Sequence, residues 1–357
     1  MTPSQPWRTS PRRALPAVCA ALIIACSTDP GDTTPLPTWS YDPAMLFPAD
    51  RSLVLPEDGV ALPDGRLIVT DQVHGLRVVE TDGRSAPFGD LAGAGYVHRP
   101  PDHNGGANGL SLEPDGAHLL LTDGHYGEIY RVNVATGAAE VVYRHPYGVN
   151  TAVRDSRGAI WFTQSTANTD EARMWAAVDV PMPDGALFRL ASRDGRLADT
   201  AEVVVDSLLF ANGVVIDEQA GRLYLGETIG NRVLRFRVDL DAGTVSDRSV
   251  FADIAADNVE LDGEGHLWVV APLSNEVVVV NTTTGERQTV FQAQTPEQAA
   301  LLTEFLRRGE AGAARMDLIT PALWTPLPGI LTGVIVGPGN GPVYITGLGD
   351  ALIRLAR

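Results

Sequence analysis

The sequence predicts an all-β fold: a six-bladed β-propeller with four-stranded blades. Three observations carry that reading. Short β-branched and aliphatic runs, punctuated by Asp-Gly and related turns, dominate the chain, which marks antiparallel β structure. A weak unit then recurs six times: a polar opening, an apolar strand, a turn, and a second strand ending in a polar residue. Its openings are Asp58-Gly59, Asn108-Gly109, Asn150-Thr151, Asn212-Gly213, Asp257-Asn258 and Thr332-Gly333, spaced by 50, 42, 62, 45 and 75 residues. That spacing fits a radial array of sheets. Closure is the third observation. The sixth unit supplies only three strands, so RSLVL (51–55), just before the first opening, completes the last blade and removes exposed edges. A pair of β-sandwiches is the architectural alternative.

Before the blades, residues 1–25 read as a leader. Arg8, Arg12 and Arg13 precede the apolar run ALPAVCAALIIA (14–25), too short to span a membrane as a helix and shaped like a secretory h-region. The run ends in Ile23-Ile24-Ala25-Cys26, which resembles a bacterial lipoprotein box with Cys26 as the lipidated residue. An ordinary signal peptide cut nearby is the alternative. Either way the expectation is export, and lipid on Cys26 would anchor the protein to a membrane. Both cysteines, Cys19 and Cys26, fall in this segment, so the domain has neither a disulfide nor a thiolate ligand for a metal. Residues 26–43 are polar and Pro-rich and read as a flexible tether. The propeller is expected over residues 44–357.

Within the units, second strands such as LIVTD (67–71), LLLTD (119–123), IWFTQ (160–164) and LYLGE (223–227) lead into third strands such as EIYRVN (128–133) and RVLRFRV (232–238). Two long insertions interrupt the pattern. Residues 165–185 lie between strands of blade three, and roughly 292–331 between blades five and six. The second contains TPEQAALLTEFLRRG, where Thr295 and Gln298 have capping-box spacing, Pro296 fits a first helical turn, and Leu301, Leu302, Phe305 and Leu306 form an apolar face. One helical insertion is therefore expected, as a lid over the openings or as surface decoration.

Composition narrows the function. The chain has 357 residues, is 44% hydrophobic and carries a formal charge of −17. It can bury a sizeable core, and it lacks the basic face that nucleic acid requires. A cation is the more natural partner, and no feature calls for an obligate protein partner. The first strand of each blade lines the central channel, so Glu57, Asn150, Asn212 and Asp257 converge from four blades. Carboxylate and amide oxygens without thiolate or imidazole suit a hard cation such as Ca²⁺. That Asn-Gly and Asp-Gly are simply good turn residues explains the glycines, but not four oxygen-donor openings. Five histidines (His74, His98, His103, His125 and His145) fall in loops of this face. His125, beside Tyr126, and His103, close to Asn108, are the better catalytic candidates.

These residues resemble a known family. FANGVVIDEQAGRLYLGETIGNRVLRFRVD (210–239) is similar to the corresponding blade of paraoxonases and of the regucalcin and gluconolactonase group. PEDGVALPDG (56–65) and ADNVELDGEGHLWV (256–269) are similar to paraoxonase and strictosidine-synthase-like segments. The resemblance runs from about Arg51 onward and implies a calcium-dependent hydrolase of lactones or related esters. Carried over residue by residue, it implies Glu57, Asn150, Asn212, Asp257 and Asn258 as calcium ligands, with other divalent ions possible. Asp58 matches a ligand of a second calcium in paraoxonases, but Thr151 stands where its Asp partner is expected. Asn108 replaces the paraoxonase histidine that opens blade two, so Asn108 is expected to orient substrate or back the cage.

The mechanism so implied has calcium polarise a lactone carbonyl while Asp257 takes a proton from water or attacks directly. Tyr126, Trp175 and Trp324 complete the expected substrate-binding set. Trp175, Trp324, Met174, Met182 and Leu323 point to a substrate less sugar-like than gluconolactone. Two rivals stand beside this reading: a calcium-stabilised propeller that only binds, and a metal-independent protein like the strictosidine synthases.

Overall fold

The computed structural model describes residues 1, 35–339 and 341–356. The chain divides into two compact units, Met1–Pro35 and Leu36–Arg357. The expected leader and Cys26 lie outside the described residues. The second unit is the six-bladed propeller.

Innermost strands of the six blades are Gly59–Ala61, Ala107–Leu112, Ala152–Arg154, Ala211–Asp217, Val259–Leu261 and Leu331–Val336, each beginning at or beside a predicted opening. The four strands of every blade run antiparallel from there outward. Each sheet is stacked between two neighbours, so its second strand is covered on both faces. Leu67–Asp71, Ile160–Gln164 and Val343–Gly347 are accordingly buried at every residue. Burial on both faces, not half-burial, explains why these strands read as continuous apolar runs. The outermost strand of blade four, Thr244–Ala252, is mostly exposed. The core is a set of wedges between blades. Leu67, Val69, Ile335, Tyr344 and Leu352 fill the one between blades one and six.

The glycines of the openings have a different cause from the one their turn chemistry suggests. Neither Gly109 nor Gly213 has a left-handed φ. A Cβ on Gly109 would stand 2.6 Å from the Asn150 carbonyl oxygen, and one on Gly213 would stand 2.6 Å from Asn258 Cα. Glycine is there because neighbouring inner strands nearly touch at the axis. The Gly109 amide donates to the Asn150 carbonyl at 2.9 Å, and the Gly213 amide to the Asp257 carbonyl at 3.2 Å. Threonines of the second strands add a second stitch. Thr122 Oγ1 donates to the Asn150 carbonyl, Thr163 Oγ1 to that of Asn212, and Thr346 Oγ1 to that of Glu57. Each threonine thereby holds the opening of the next blade.

Three expectations need correction. The strand that closes blade six is Leu46–Phe47, paired antiparallel with Leu352–Leu355 in the register Leu46 to Ile353 and Phe47 to Leu352. RSLVL does not form it, because Arg51 and Leu55 both take left-handed φ values of 53° and 48°, which break strand geometry at each end. That segment follows the rim, donating from Leu53 and Leu55 to the carbonyls of Asp350 and Gly349, and plugs Leu53 into the wedge between blades one and six. Secondly, the tether is shorter than residues 26–43. Trp39–Ser40 forms a fifth, parallel strand on blade five beside Phe291 and Gln292, and Trp39 Nε1 donates to the Ala356 carbonyl at 3.0 Å. Its indole buries apolar surface that the Pro-rich composition around it conceals. Thirdly, both insertions hold a helix: α1 (Glu171–Asp179) in residues 165–185 and α2 (Pro296–Glu310) in the other. The capping box of Thr295 and Gln298 forms as expected. The nine-residue α1 carries no such box, only an Asp170 cap, which is why its pattern is faint.

Phe47 packs on Tyr344 with ring centroids 5.5 Å apart and lies under the Arg354 guanidinium. Phe47→Ala should lower unfolding free energy by about 2 kcal/mol, half-burial reducing the usual cost of a truncated core phenylalanine. Denaturant titration reads this as a lower midpoint at unchanged slope.

Candidate active site

One residue from each blade reaches a single cavity of ≈ 180 Å³ on the axis: Glu57, Asn108, Asn150, Asn212, Asp257 and Thr332. The ring of glycines and threonines fixes their backbones, so the side chains converge without a dedicated loop. Glu57, Asn150, Asn212 and Asn258 are buried, while Asp257 keeps an accessible edge.

The orientation of Asn212 follows from its partner. Thr228 Oγ1 donates its only hydrogen to the Ala256 carbonyl at 2.7 Å, so it accepts from Asn212 Nδ2 at 3.0 Å. Asn212 Oδ1 is left buried with no partner among the described residues, and Glu57 Oε2 is in the same position. The other Glu57 oxygen, Oε1, accepts from Asn258 Nδ2 at 3.3 Å. Leaving a buried acceptor bare costs roughly 1–3 kcal/mol, so two on one floor point to a ligand that accepts electron pairs. Thr151, the departure from the paraoxonase pattern, stands between two amides. Its hydroxyl lies 2.9 Å from Asn150 Oδ1 and 3.1 Å from Asn258 Oδ1, a neutral donor where a further carboxylate was expected.

Three acids share this floor without a cationic partner. Burial first, then Asp257 and Asp58, push the Glu57 carboxyl well above its ordinary range. Burial also raises Asp257, to about 8; the Asn212 amide opposes that shift and Asp58 adds to it. Asp58 rises to about 7 from burial, although the Leu110 and Gly59 amides donate to its two oxygens at 2.8 Å. Oxygen-only ligands carrying surplus negative charge fit a divalent hard cation. Glu57, Asn150, Asn212, Asp257 and Asn258 are the residues that would hold it. Among the described residues, the other groups of acids and histidine that could hold an ion are Glu113, Asp115 and His118, and Asp262, Glu264 and His266. Both sit at turns on the opposite face.

Above the floor, His125 and Trp175 line the cavity. His125 Nδ1 lies 2.7 Å from the Asn104 carbonyl, an acceptor only, so Nδ1 carries a hydrogen and, in the neutral ring, the lone pair is on Nε2. Gly106 permits this, since a Cβ there would stand 2.7 Å from the His125 ring. His103, Tyr126 and Trp324 do not line the cavity. His103 stacks on Tyr126 at 3.9 Å, and the Tyr126 hydroxyl accepts from the Asn104 amide, so the pair buttresses the loop behind His125. Trp324 packs in the apolar cluster under the lid, with Phe305, Leu323 and Leu273.

Together the two insertions form that lid. Arg315, buried after α2, donates from Nε to the Val178 carbonyl at 2.9 Å. Its backbone amide and that of Met316 both donate to Asp179 Oδ1. Its guanidinium lies 4.0 Å from the Phe305 ring centre. The C-terminus of α1 is thus tied to α2. Cavity residues that the sequence did not single out include Glu171, Phe210, Thr228 and Ile229. Thr228 follows directly on LYLGE, and that position was its one available signal.

The fold and floor define a six-bladed propeller with an oxygen-lined axial cavity. Residues 140–303 match the family model described as SMP-30/Gluconolactonase/LRE-like region. The chain is 25% identical to the adipocyte plasma membrane-associated protein Hemomucin of Drosophila melanogaster over 177 residues, 45% of this chain and 29% of that protein. It is also 25% identical to Protein STRICTOSIDINE SYNTHASE-LIKE 13 of Arabidopsis thaliana over 168 residues, 45% of this chain and 40% of that protein. It thus spans less than half the length of either relative. Among solved structures, it is similar to a gluconolactonase from Xanthomonas campestris (TM-score 0.56, 18% identity, 85% of this chain and 86% of that one). It is likewise similar to a calcium-binding protein, regucalcin, from Agrobacterium tumefaciens (TM-score 0.58, 15% identity, 90% and 95%). Just under half of the chain thus resembles the SMP-30/gluconolactonase/LRE-like region, and the whole described domain shares the six-bladed fold of these structures.

The acid floor makes stability pH-dependent when no cation is bound. Asp257 and Asp58 titrate near 8 and 7 in the fold but near 4 in the unfolded chain. The folded state therefore holds more protons between those values, and stability falls as pH rises through that window. In chelator, melting temperature should drop by at least about 3 °C from pH 5 to pH 8, and Asp257→Asn should flatten the slope.

Proposed function

We propose that this protein is a calcium-dependent hydrolase of lactones or related esters, exported and held to a membrane by lipid on Cys26. The observation that carries the reading is the pair of bare buried oxygens, Glu57 Oε2 and Asn212 Oδ1, on the floor of a cavity lined by a residue from every blade. The gluconolactonase-like family supports the hydrolase class, and regucalcin, a calcium-binding neighbour in fold, supports the ion. A divalent ion on this floor supplies positive charge to polarise a carbonyl and stabilise the developing oxyanion.

The chain's own residues do the rest. Glu57, Asn150, Asn212 and Asn258 fix the floor, and Asn108 orients the substrate above it. Asp257, with its open edge on the cavity, takes the proton of the attacking water. His125 is the second candidate for that role, because its fixed tautomer leaves Nε2 free to accept a proton. Met174, Trp175 and Val178 of α1, which is tied to the segment after α2, give the cavity an apolar wall, and an apolar wall strengthens charge–dipole interactions beside it.

Hydrolysis of a lactone and aryl-ester panel by the chain starting after Cys26 tests this, with calcium and again after chelation. Turnover should vanish on chelation, and calcium should raise the melting temperature, increasingly so toward pH 8 as the acids ionise. Asp257→Asn should lower kcat at least about 100-fold. If Asp257→Asn retains turnover while His125→Gln loses it, the base is His125. A calcium-induced rise in melting temperature with no turnover across the panel favours a binding propeller. No calcium effect on either quantity overturns the metal centre.

A further inference from the structure

We propose that the cavity selects lactones or esters that carry a cationic ammonium group on an apolar body, and that Glu171 of the lid recognises the cation. This rests on the hydrolase reading above and names its substrate class.

The walls are apolar above the oxygen-lined floor, with Met174, Trp175, Val178, Phe210, Ile229 and Leu273 facing the space. Such a surface offers a polyhydroxylated sugar lactone few hydrogen-bond partners. Charge then sorts the remaining candidates. The sequence contains no lysine, its 27 basic residues being arginines, and none of these lines the cavity. An anionic substrate would meet carboxylates with no cation from the chain to receive it.

Glu171 is the lid carboxylate that lines this cavity, and it lacks the arginine partner that several of the chain's enclosed acids have. Glu113 is bound by Arg131 and Arg154, Glu227 by Arg232, and Asp184 by Arg173. Glu171 has no such ion pair among the described residues. Its oxygens accept from two neutral donors instead: Asn104 Nδ2 at 2.5 Å and Trp175 Nε1 at 3.2 Å. These bonds aim the carboxylate without neutralising it, and they place it beside the Trp175 indole. The Nε1–H bond sets the carboxylate at the indole edge, so an ammonium group can meet the carboxylate and the indole face together, and aromatic faces attract such cations. A divalent ion on the floor would balance the acids below, leaving Glu171 as the uncompensated charge on the lid side.

The test compares two isosteric esters of one acyl group, a choline ester and its neutral 3,3-dimethylbutyl counterpart. The kcat/KM ratio should favour the choline ester by about tenfold in the wild type and fall toward one in Glu171→Gln. The ratio is the readout, so a general loss of rate in the variant does not imitate the effect. Trp175→Leu, which removes the aromatic face, should also lower it. Calorimetry with benzyltrimethylammonium separates this inference from the hydrolase reading. Binding that weakens about tenfold in Glu171→Gln supports the cation site even if neither ester is hydrolysed. A wild-type ratio near one, or a preference that survives in Glu171→Gln, overturns the proposal while leaving the hydrolase in place.

Discussion

Crowding at the axis is the constraint from which the rest of this structure follows. Six inner strands must approach so closely that a Cβ on Gly109 or Gly213 would collide with the neighbouring blade. Glycine at these points lets backbone amides reach across blades, and threonine hydroxyls also secure carbonyls of the next opening, that of Asn150 receiving both kinds of bond. Asn108 and Asn212, the residues before these two glycines, send their side chains to the axial cavity. Convergence of the floor is thus a by-product of closing a tight ring.

That geometry carries an electrostatic cost. Placing Glu57, Asp58 and Asp257 together in a buried space raises the proton affinity of each, and none has an arginine to offset it. Elsewhere some buried acids meet arginine, as Glu113 and Glu227 do, while Asp123 and Asp155 are held by amide and indole N–H donors. At the axial cavity and its lid, Glu57, Asp257 and Glu171 have no arginine partner among the described residues, and there a ligand has access to them. A propeller core of this size can hold such strain because its stability is spread over the wedges between blades.

Much of this was legible in the sequence. Strand runs, turn spacing and the six openings fixed the blade count, and the chemistry of Glu57, Asn150, Asn212 and Asp257 marked the floor. The reason for the glycines was not legible, because a close approach between strands leaves the same letter as a turn. The closing strand was misplaced for a related reason. RSLVL has the better strand composition, yet the left-handed backbone at Arg51 and Leu55 excludes it, and the short pair Leu46–Phe47 gives almost no signal. His103, Tyr126 and Trp324 were close to the cavity in sequence but face away from it. Glu171 escaped notice because its meaning depends on what it lacks, an arginine partner, and pairing is visible only in three dimensions.

The seam between blades six and one carries one further consequence. The carbonyl of Glu57 accepts from both Thr332 and Thr346, residues 275 and 289 positions away. The floor therefore does not exist in any partly wound ring: until the last blade docks on the first, Glu57 has no fixed position. A ligand captured at the axis would then double as a report of completed topology, because a chain caught with an open seam offers it no finished floor. Whatever binds at the axis rewards only the finished circle, and a ligand there acts as a clasp on the one joint that the continuous backbone leaves uncovered.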